Sequence, residues 1–375
     1  MHKMPRLMRG AAVIAGVLLL AARAACAADS ASPNDAARFL AGMPPSTQSP
    51  LDSLSREPSW QQHAKFFDSA WSRLDKQQLS RVRAWSTENL TERRPVMFYM
   101  FSGPDFLYAD AFFPNASTYV LSGLEPVGPV PDVTKVSRDS LPHVLAHLRS
   151  SLNNVLNYSF FVTKDMRRKL GAGQLPGTLP ILYVFLARSG KTIRDVSLVN
   201  LDMNGALLAP GEAGSAATAP GAKIVFSGSD GRPQTLYYFR TDLSDAGVRS
   251  SGFLKFCERL GMGDSFVKSA SYLMHSQGFS GVRDFLLARS ALIVQDDSGI
   301  PVRFFDPGAW DLRPFGRYVG PIGIFRNRHQ AKLRELFLNG KPSRLDFGIG
   351  YRWRANESNL LLAVRRKSAM SVPGQ

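Results

Sequence analysis

Six consecutive apolar residues, Val96-Met97-Phe98-Tyr99-Met100-Phe101, set the tightest constraint on what this chain can fold into. A strand with one wet face alternates apolar and polar residues, so an unbroken run marks a strand covered on both faces. Ser102-Gly103-Pro104-Asp105 turns the chain after it. Phe106 to Phe113 reads as a short helix stopped by Pro114, and Thr118 to Ser122 as a second strand ending in Gly123-Leu124-Glu125-Pro126. Strand, turn, short helix, strand is a βαβ-like start, and it predicts an α/β fold with a mixed sheet.

The N-terminus reads as an address. Lys3, Arg6 and Arg9 precede an apolar run from Ala11 to Ala22, and Ala25-Cys26-Ala27 suits signal peptidase. A run of about 12 residues is too short to span a bilayer core, which needs about 20. Residues 1–27 are therefore expected to be a cleaved signal peptide and the mature protein to be exported, periplasmic or secreted, without a transmembrane span. Acylation of Cys26 is disfavoured, because Arg23 stands three residues before it where a lipobox carries an aliphatic side chain. The mature chain then keeps one cysteine, Cys257, and no internal disulfide is possible. In GFLKFCERLG that thiol lies on the apolar stripe of a helix, where it acts as a small hydrophobe.

Residues 28–58, rich in Ala, Ser and Pro, read as a leader. An N-terminal α/β lobe is expected over 59–203, with a helical stretch at 59–91 and a helix from Ser140 to Tyr158. Strands are expected at 180–187 and 193–201. Residues 204–222, almost wholly Gly, Ala, Pro and Ser, read as an insertion or a linker. The C-terminal α+β lobe, 223–375, opens with a hairpin (223–227 and 235–240). Helices are expected at 252–260, 265–276, 280–290 and 328–339. Further hairpins are expected around Asp296–Gly299 and between 345–353 and 359–366.

The stretches FYMFSGPDFLYADAFFP, SYLMHSQGF, QDDSGIPVRFF and FGIGYRWRANESNLLLAV make the chain similar to a family of exported bacterial proteins with no assigned activity. The resemblance implies export and carries no site residue.

Several constellations could bear chemistry. Glu125 lies 22 residues after Gly103, about where a ribose-binding acid sits in a dinucleotide fold. The turn has one glycine where that fingerprint needs several, and Pro104 removes an amide. No cofactor is expected, and a Rossmann-like architecture without one is the third reading of the chain. His143 and His147 share a helix face with Ser150 and Asn154, opposite the apolar stripe, but no third zinc ligand accompanies them. His275 ends a predicted helix, where a histidine either caps the terminus or serves as a general base. Asp296-Asp297-Ser298-Gly299 is turn chemistry, or a pair of carboxylates for acid–base hydrolysis. A hydrolase would draw on Asp105, His143, His147, His275, Asp296 and Asp297. They are far apart in sequence, so one cleft holding three of them favours an enzyme and dispersal removes it.

Charge is the least random feature. Without the four basic residues of the expected signal peptide, 42 basic and 30 acidic side chains remain, net +12. From Leu312 to Lys367 there are thirteen basic residues against Glu335, Asp346 and Glu357. Outside the cytoplasm such a segment points to an anionic envelope component (lipid head groups, lipid A or an acidic polymer) and away from nucleic acid. Arg352, Arg354, Arg365, Arg366 and Lys367 are the expected anion-binding residues. The leading expectation is a periplasmic binding or envelope-associated protein docking through them. An envelope hydrolase is the alternative.

Overall fold

The computed structural model describes residues 30–158, 170, 173–212 and 218–369, so residues 1–27, expected as a signal peptide, lie outside the described residues. The Ala/Ser/Pro-rich leader carries packed structure from Pro33 on. Helix α1 (Pro33–Leu40) is capped by Ser32, whose Oγ accepts the Asp35 N–H at 3.0 Å. Ala36, Ala37, Phe39 and Leu40 are all buried, since small alanines allow close approach to the body. Helix α2 (Pro58–Leu74) passes through one π-helical turn (Asp75–Leu79) into α3 (Ser80–Asn89), matching the expected helical stretch.

The predicted β1 (Val96–Tyr99), α4 (Phe106–Phe112) and β2 (Thr118–Gly123) are present, and β1 and β2 pair in parallel. Helix α5 (Leu141–Tyr158) buries Leu141, Leu145, Leu148, Leu152, Val155 and Leu156 as its stripe requires. Residues expected as a strand at 180–187 form instead helix α6 (Leu179–Arg188), which is buried almost all round. It is followed by β3 (Thr192–Leu201), β4 (Leu207–Leu208), β5 (Ala219–Ser227) and β6 (Pro233–Arg240). The Gly/Ala/Pro-rich stretch thus holds β4 and the start of β5.

Short helices α7 (Asp245–Arg249) and α8 (Phe253–Arg259) lead to β7 (Gly263–Val267), a strand where the sequence reads as helix. Helix α9 (Ser280–Arg289), β8 (Ser290–Gln295), β9 (Trp310–Gly316), α10 (Ala331–Asn339) and β10 (Asn359–Arg365) complete the chain. The hairpin expected around Asp296–Gly299 has only its first strand, and residues 345–353 make a bridge between Ile349 and Arg352 rather than a strand.

All ten strands form one sheet in the order β4-β3-β5-β6-β2-β1-β7-β8-β10-β9. Its five middle strands, β6 to β8, are parallel, and antiparallel pairs extend both edges. Strand period divides the core in two. Met97, Tyr99, Tyr119, Leu121 and Phe266 pack on one face with α1 to α6. Val96, Phe98, Val120 and Val267 pack on the other with α8 and α9. From β1 the chain winds to β2 and β6, then crosses back to β7 on the far side of β1. The order reverses between β1 and β7, and such a switch point opens a crevice beyond the carboxyl ends of the strands. Among the described residues no helix is long and apolar enough to cross a membrane.

Candidate functional site

The carboxyl ends of β1, β2 and β7 meet around a cavity of about 320 Å³ at this switch point. Phe266 and Val267 face opposite cores, so Lys268 turns back to the Phe266 side, toward the turn after β1. There its Nζ meets Asp105 Oδ2 at 2.6 Å, with both side chains 2% exposed. The same carboxylate accepts the Tyr99 hydroxyl at 2.8 Å and, on Oδ1, the Tyr108 N–H at 3.2 Å. Lys268 Nζ also stands 3.8 Å from the centre of the Tyr108 ring. Burial lowers the Lys268 pKa against the opposing pull of Asp105. Burial, then Asp105, raises that of Tyr99 well above its ordinary value.

Behind this pair lie two more acids. Asp296 Oδ2 accepts the Ser269 N–H at 3.0 Å, and its Oδ1 accepts the Ser298 N–H at 3.0 Å and the Ser298 hydroxyl. Asp297 Oδ2 accepts the Tyr272 hydroxyl at 2.7 Å, and its Oδ1 the Asn359 amide at 3.3 Å. Burial and then the Asp297 charge push Asp296 up to about 7, against the hydrogen bonds from Ser298 and Ser269. Burial raises Asp297 as well. Two carboxylates this close in a buried site do not both ionise readily. Asp-Asp-Ser-Gly is therefore both the local turn and a buried acid pair. Gly350, at φ +61°, lies so close that a Cβ there would overlap Asp296 Oδ2.

The backbone of this region is strained. Among the described residues five non-glycine positions have positive φ, and four surround the crevice: Phe101, Ser269, Ser271 and Tyr272. Each costs roughly 1–2 kcal/mol, and such residues cluster where function holds them. Ser269 also has a buried Oγ without a hydrogen-bond partner among the described residues. Tyr351 ties the strained segment down, its hydroxyl donating to Ser269 O at 3.0 Å and lying 2.9 Å from Ser271 Oγ. Phe325 and the exposed Ile324 form the outer wall of the cavity.

Four of the six candidate catalytic residues therefore gather at one end of the sheet, but of the six it is Asp105 that lines the cavity, so the cleft does not hold three of them. Asp105, Asp296 and Asp297 flank the Lys268–Tyr272 segment, and His275 lies edge-on to Tyr272, ring centres 5.2 Å apart. Burial, with Arg303 and Arg328 adding to it, lowers His275 to about 4, so it is neutral near pH 7. His275 sits on a 3-10 turn (Leu273–His275), and the expected helix around it does not form. His143 and His147 stand apart on α5, beside a separate cavity of about 270 Å³. Among the described residues no three His, Cys, Asp or Glu side chains are placed to hold a metal ion.

Glu125 is 2% exposed and covers Gly103 and Gly123, with the Tyr238 hydroxyl 3.0 Å from its carbonyl oxygen. Its carboxylate thus fills the space over the turn that a dinucleotide phosphate would need. Sequence reasoning missed Lys268, Tyr99, Ser269, Gly350 and Tyr351. The only signal for Lys268 was a lysine set between Val267 and Ala270.

The expected anion-binding residues fall into two groups. Arg352, 19% exposed, turns inward, donating to Gly320 O (2.7 Å) and Pro321 O (3.1 Å) and pairing with Glu357. Arg354 lies over the Trp353 ring. Arg365, Arg366 and Lys367 lie at the other end of β10, roughly 20 Å away along a strand of this length. No family model, curated protein or solved structure matches the chain, so its function is argued from its own geometry.

Proposed function

We propose that this protein is a hydrolase of the cell envelope that works in the switch-point crevice. The observation that carries the reading is the buried Asp105–Lys268 ion pair in the cavity wall. Burying two charges costs several kcal/mol per ion, and a well-packed apolar pair of similar volume is often at least as stable. Stability alone does not favour a pair there, whereas proton-transfer chemistry does. Asp105 and Glu125 are the carboxylates beside the cavity, and Asp105 is the general base. Lys268 and Tyr99 hold it in orientation. Asp296, near neutrality in its proton affinity, is a positioning residue that holds the Ser269 backbone and with it the cavity floor. The substrate is a polar molecule with an apolar portion to lie on Phe101 and Phe325. The signal-peptide reading of residues 1–27 supports a substrate in the envelope.

The test is mass spectrometry of envelope digests incubated with the protein. The expected result is product pairs whose summed mass exceeds that of the parent by one water, lost in Asp105→Asn with native circular dichroism retained. Unchanged turnover in a folded Asp105→Asn variant would overturn the assignment. So would wild-type protein that neither releases product nor binds any digest component saturably.

A further inference from the structure

The opposite end of the same sheet carries a groove of about 520 Å³, larger than the crevice cavity. It is made where the chain enters β1, leaves β10 and runs along β9. Arg93, Arg94, Arg313, Arg365, Arg366 and Lys367 line it, against Glu92 and Asp311. The linear sequence did not display this cluster, because Arg93 and Arg94 are more than two hundred residues from the others.

Two of its cations are fixed without being neutralised. Arg93 donates to Leu90 O at 2.8 Å and to Ser86 O at 2.8 Å. Arg365 donates to Ser290 O at 2.9 Å and to Leu287 O, and lies over the Trp310 ring. These partners are carbonyl oxygens, the Ser86 hydroxyl and a ring face, none of them an anion, so both guanidinium groups stay charged while their freedom is already lost. Arg366 is exposed, and among the described residues it has no ion-pair partner. Arg313 pairs with Asp311 and Lys367 with Glu92, both exposed contacts that are readily exchanged for a stronger anion. Asp264, buried under the groove with Oδ2 accepting the Arg94 N–H at 2.7 Å, is pushed up to about 7 by burial and so opposes the positive field weakly.

We infer that this groove binds phosphate groups of a soluble, multiply phosphorylated ligand. Planar guanidinium forks match phosphate oxygens bidentately, and clamped arginines lose little entropy on binding. A bilayer surface fits less well: the site is concave, and among the described residues none of the large exposed hydrophobics lines it. The crevice reading is not needed for this inference, since the two sites lie at opposite ends of the strands.

The probe is tripolyphosphate, titrated calorimetrically into wild type and into the triple variant Arg94→Gln/Arg313→Gln/Arg366→Gln. Saturable binding that weakens with added salt, and that falls at least tenfold in the triple variant, is the expected result. Asp105→Asn should bind tripolyphosphate like wild type, which separates this inference from the hydrolase reading. Equal binding by wild type and the triple variant, or no binding by either, would overturn it. Sedimentation with phosphatidylglycerol vesicles or binding to polyglutamate, without binding to tripolyphosphate, would replace it with a membrane or carboxylate partner.

Discussion

Removing one member of the Asp105–Lys268 pair should cost far more than removing both. Both side chains are 2% exposed, so neither charge can turn to water when its partner is lost. Lys268→Met leaves the Asp105 carboxylate, among the described residues, with the Tyr99 hydroxyl and the Tyr108 N–H as donors, and breaking a buried pair in this way costs about 3–5 kcal/mol. With a urea m-value of about 3 kcal/mol/M, the midpoint should fall by roughly 1–1.7 M. Asp105→Asn strands the ammonium instead. The two variants then differ in pH dependence. The stranded carboxylate is relieved by taking up a proton, so the penalty in Lys268→Met shrinks as pH falls. The stranded ammonium is relieved by releasing one, so the penalty in Asp105→Asn shrinks as pH rises. Each slope is at most about 1.4 kcal/mol per pH unit. In Asp105→Asn/Lys268→Met the amide can still accept from Tyr108 and donate to the Tyr99 oxygen. The double variant should therefore lie within about 1 kcal/mol of wild type or above it, with a coupling energy of at least about 5 kcal/mol. Urea unfolding between pH 5 and 9 measures all of this. Single variants that each cost below about 1 kcal/mol, or that share one sign of pH dependence, would refute the reasoning. A double variant as stable as wild type but inactive is the outcome that makes the pair a functional device.

Asp296, at about 7 in the folded chain against 3.8 unfolded, makes folding take up a proton between those values. Its contribution to stability is full below pH 4 and is lost as pH rises through 7, and the stability difference between wild type and Asp296→Asn should follow that slope. His63 and His275, both lowered to about 4 from 6.5 by burial, act oppositely, gaining stability from pH 4 to 6.5. Asp264, likewise raised to about 7 by burial, adds to the fall and offsets the histidines, so the wild-type slope mixes several groups, whereas the variant difference isolates Asp296. Gly350→Ala should lose at least about 2 kcal/mol in thermal unfolding, from strain at φ +61° and from overlap with Asp296. A loss below about 0.5 kcal/mol would show that the carboxylate moves aside freely. Burial pushes the Cys257 thiol well above its usual range, so in a Cys26→Ser variant a thiol reagent should label it only in step with global unfolding.

The sequence made some of this site legible and hid the rest for identifiable reasons. β1 was readable because both its faces are covered, so its apolar run is unbroken. The run at α6 looks the same, and an all-buried helix cannot be told from a buried strand by periodicity. β7, with Gly263, Asp264 and Ser265, has little strand propensity, and pairing with β1 and β8 on its two sides determines its form. Misreading β7 hid Lys268, because only a strand there delivers that side chain to Asp105. The acids at 296 and 297 were visible, but not that Tyr272 and Asn359 arrive to bury them. The basic C-terminal residues were visible too, yet β10 separates Arg352 from Arg365 by its whole length. Local composition thus names the charged groups, while sheet topology decides which of them meet. Parallel strands place acids at their carboxyl ends and, in this chain, arginines at the other. A single substitution at either end should consequently leave the opposite site intact.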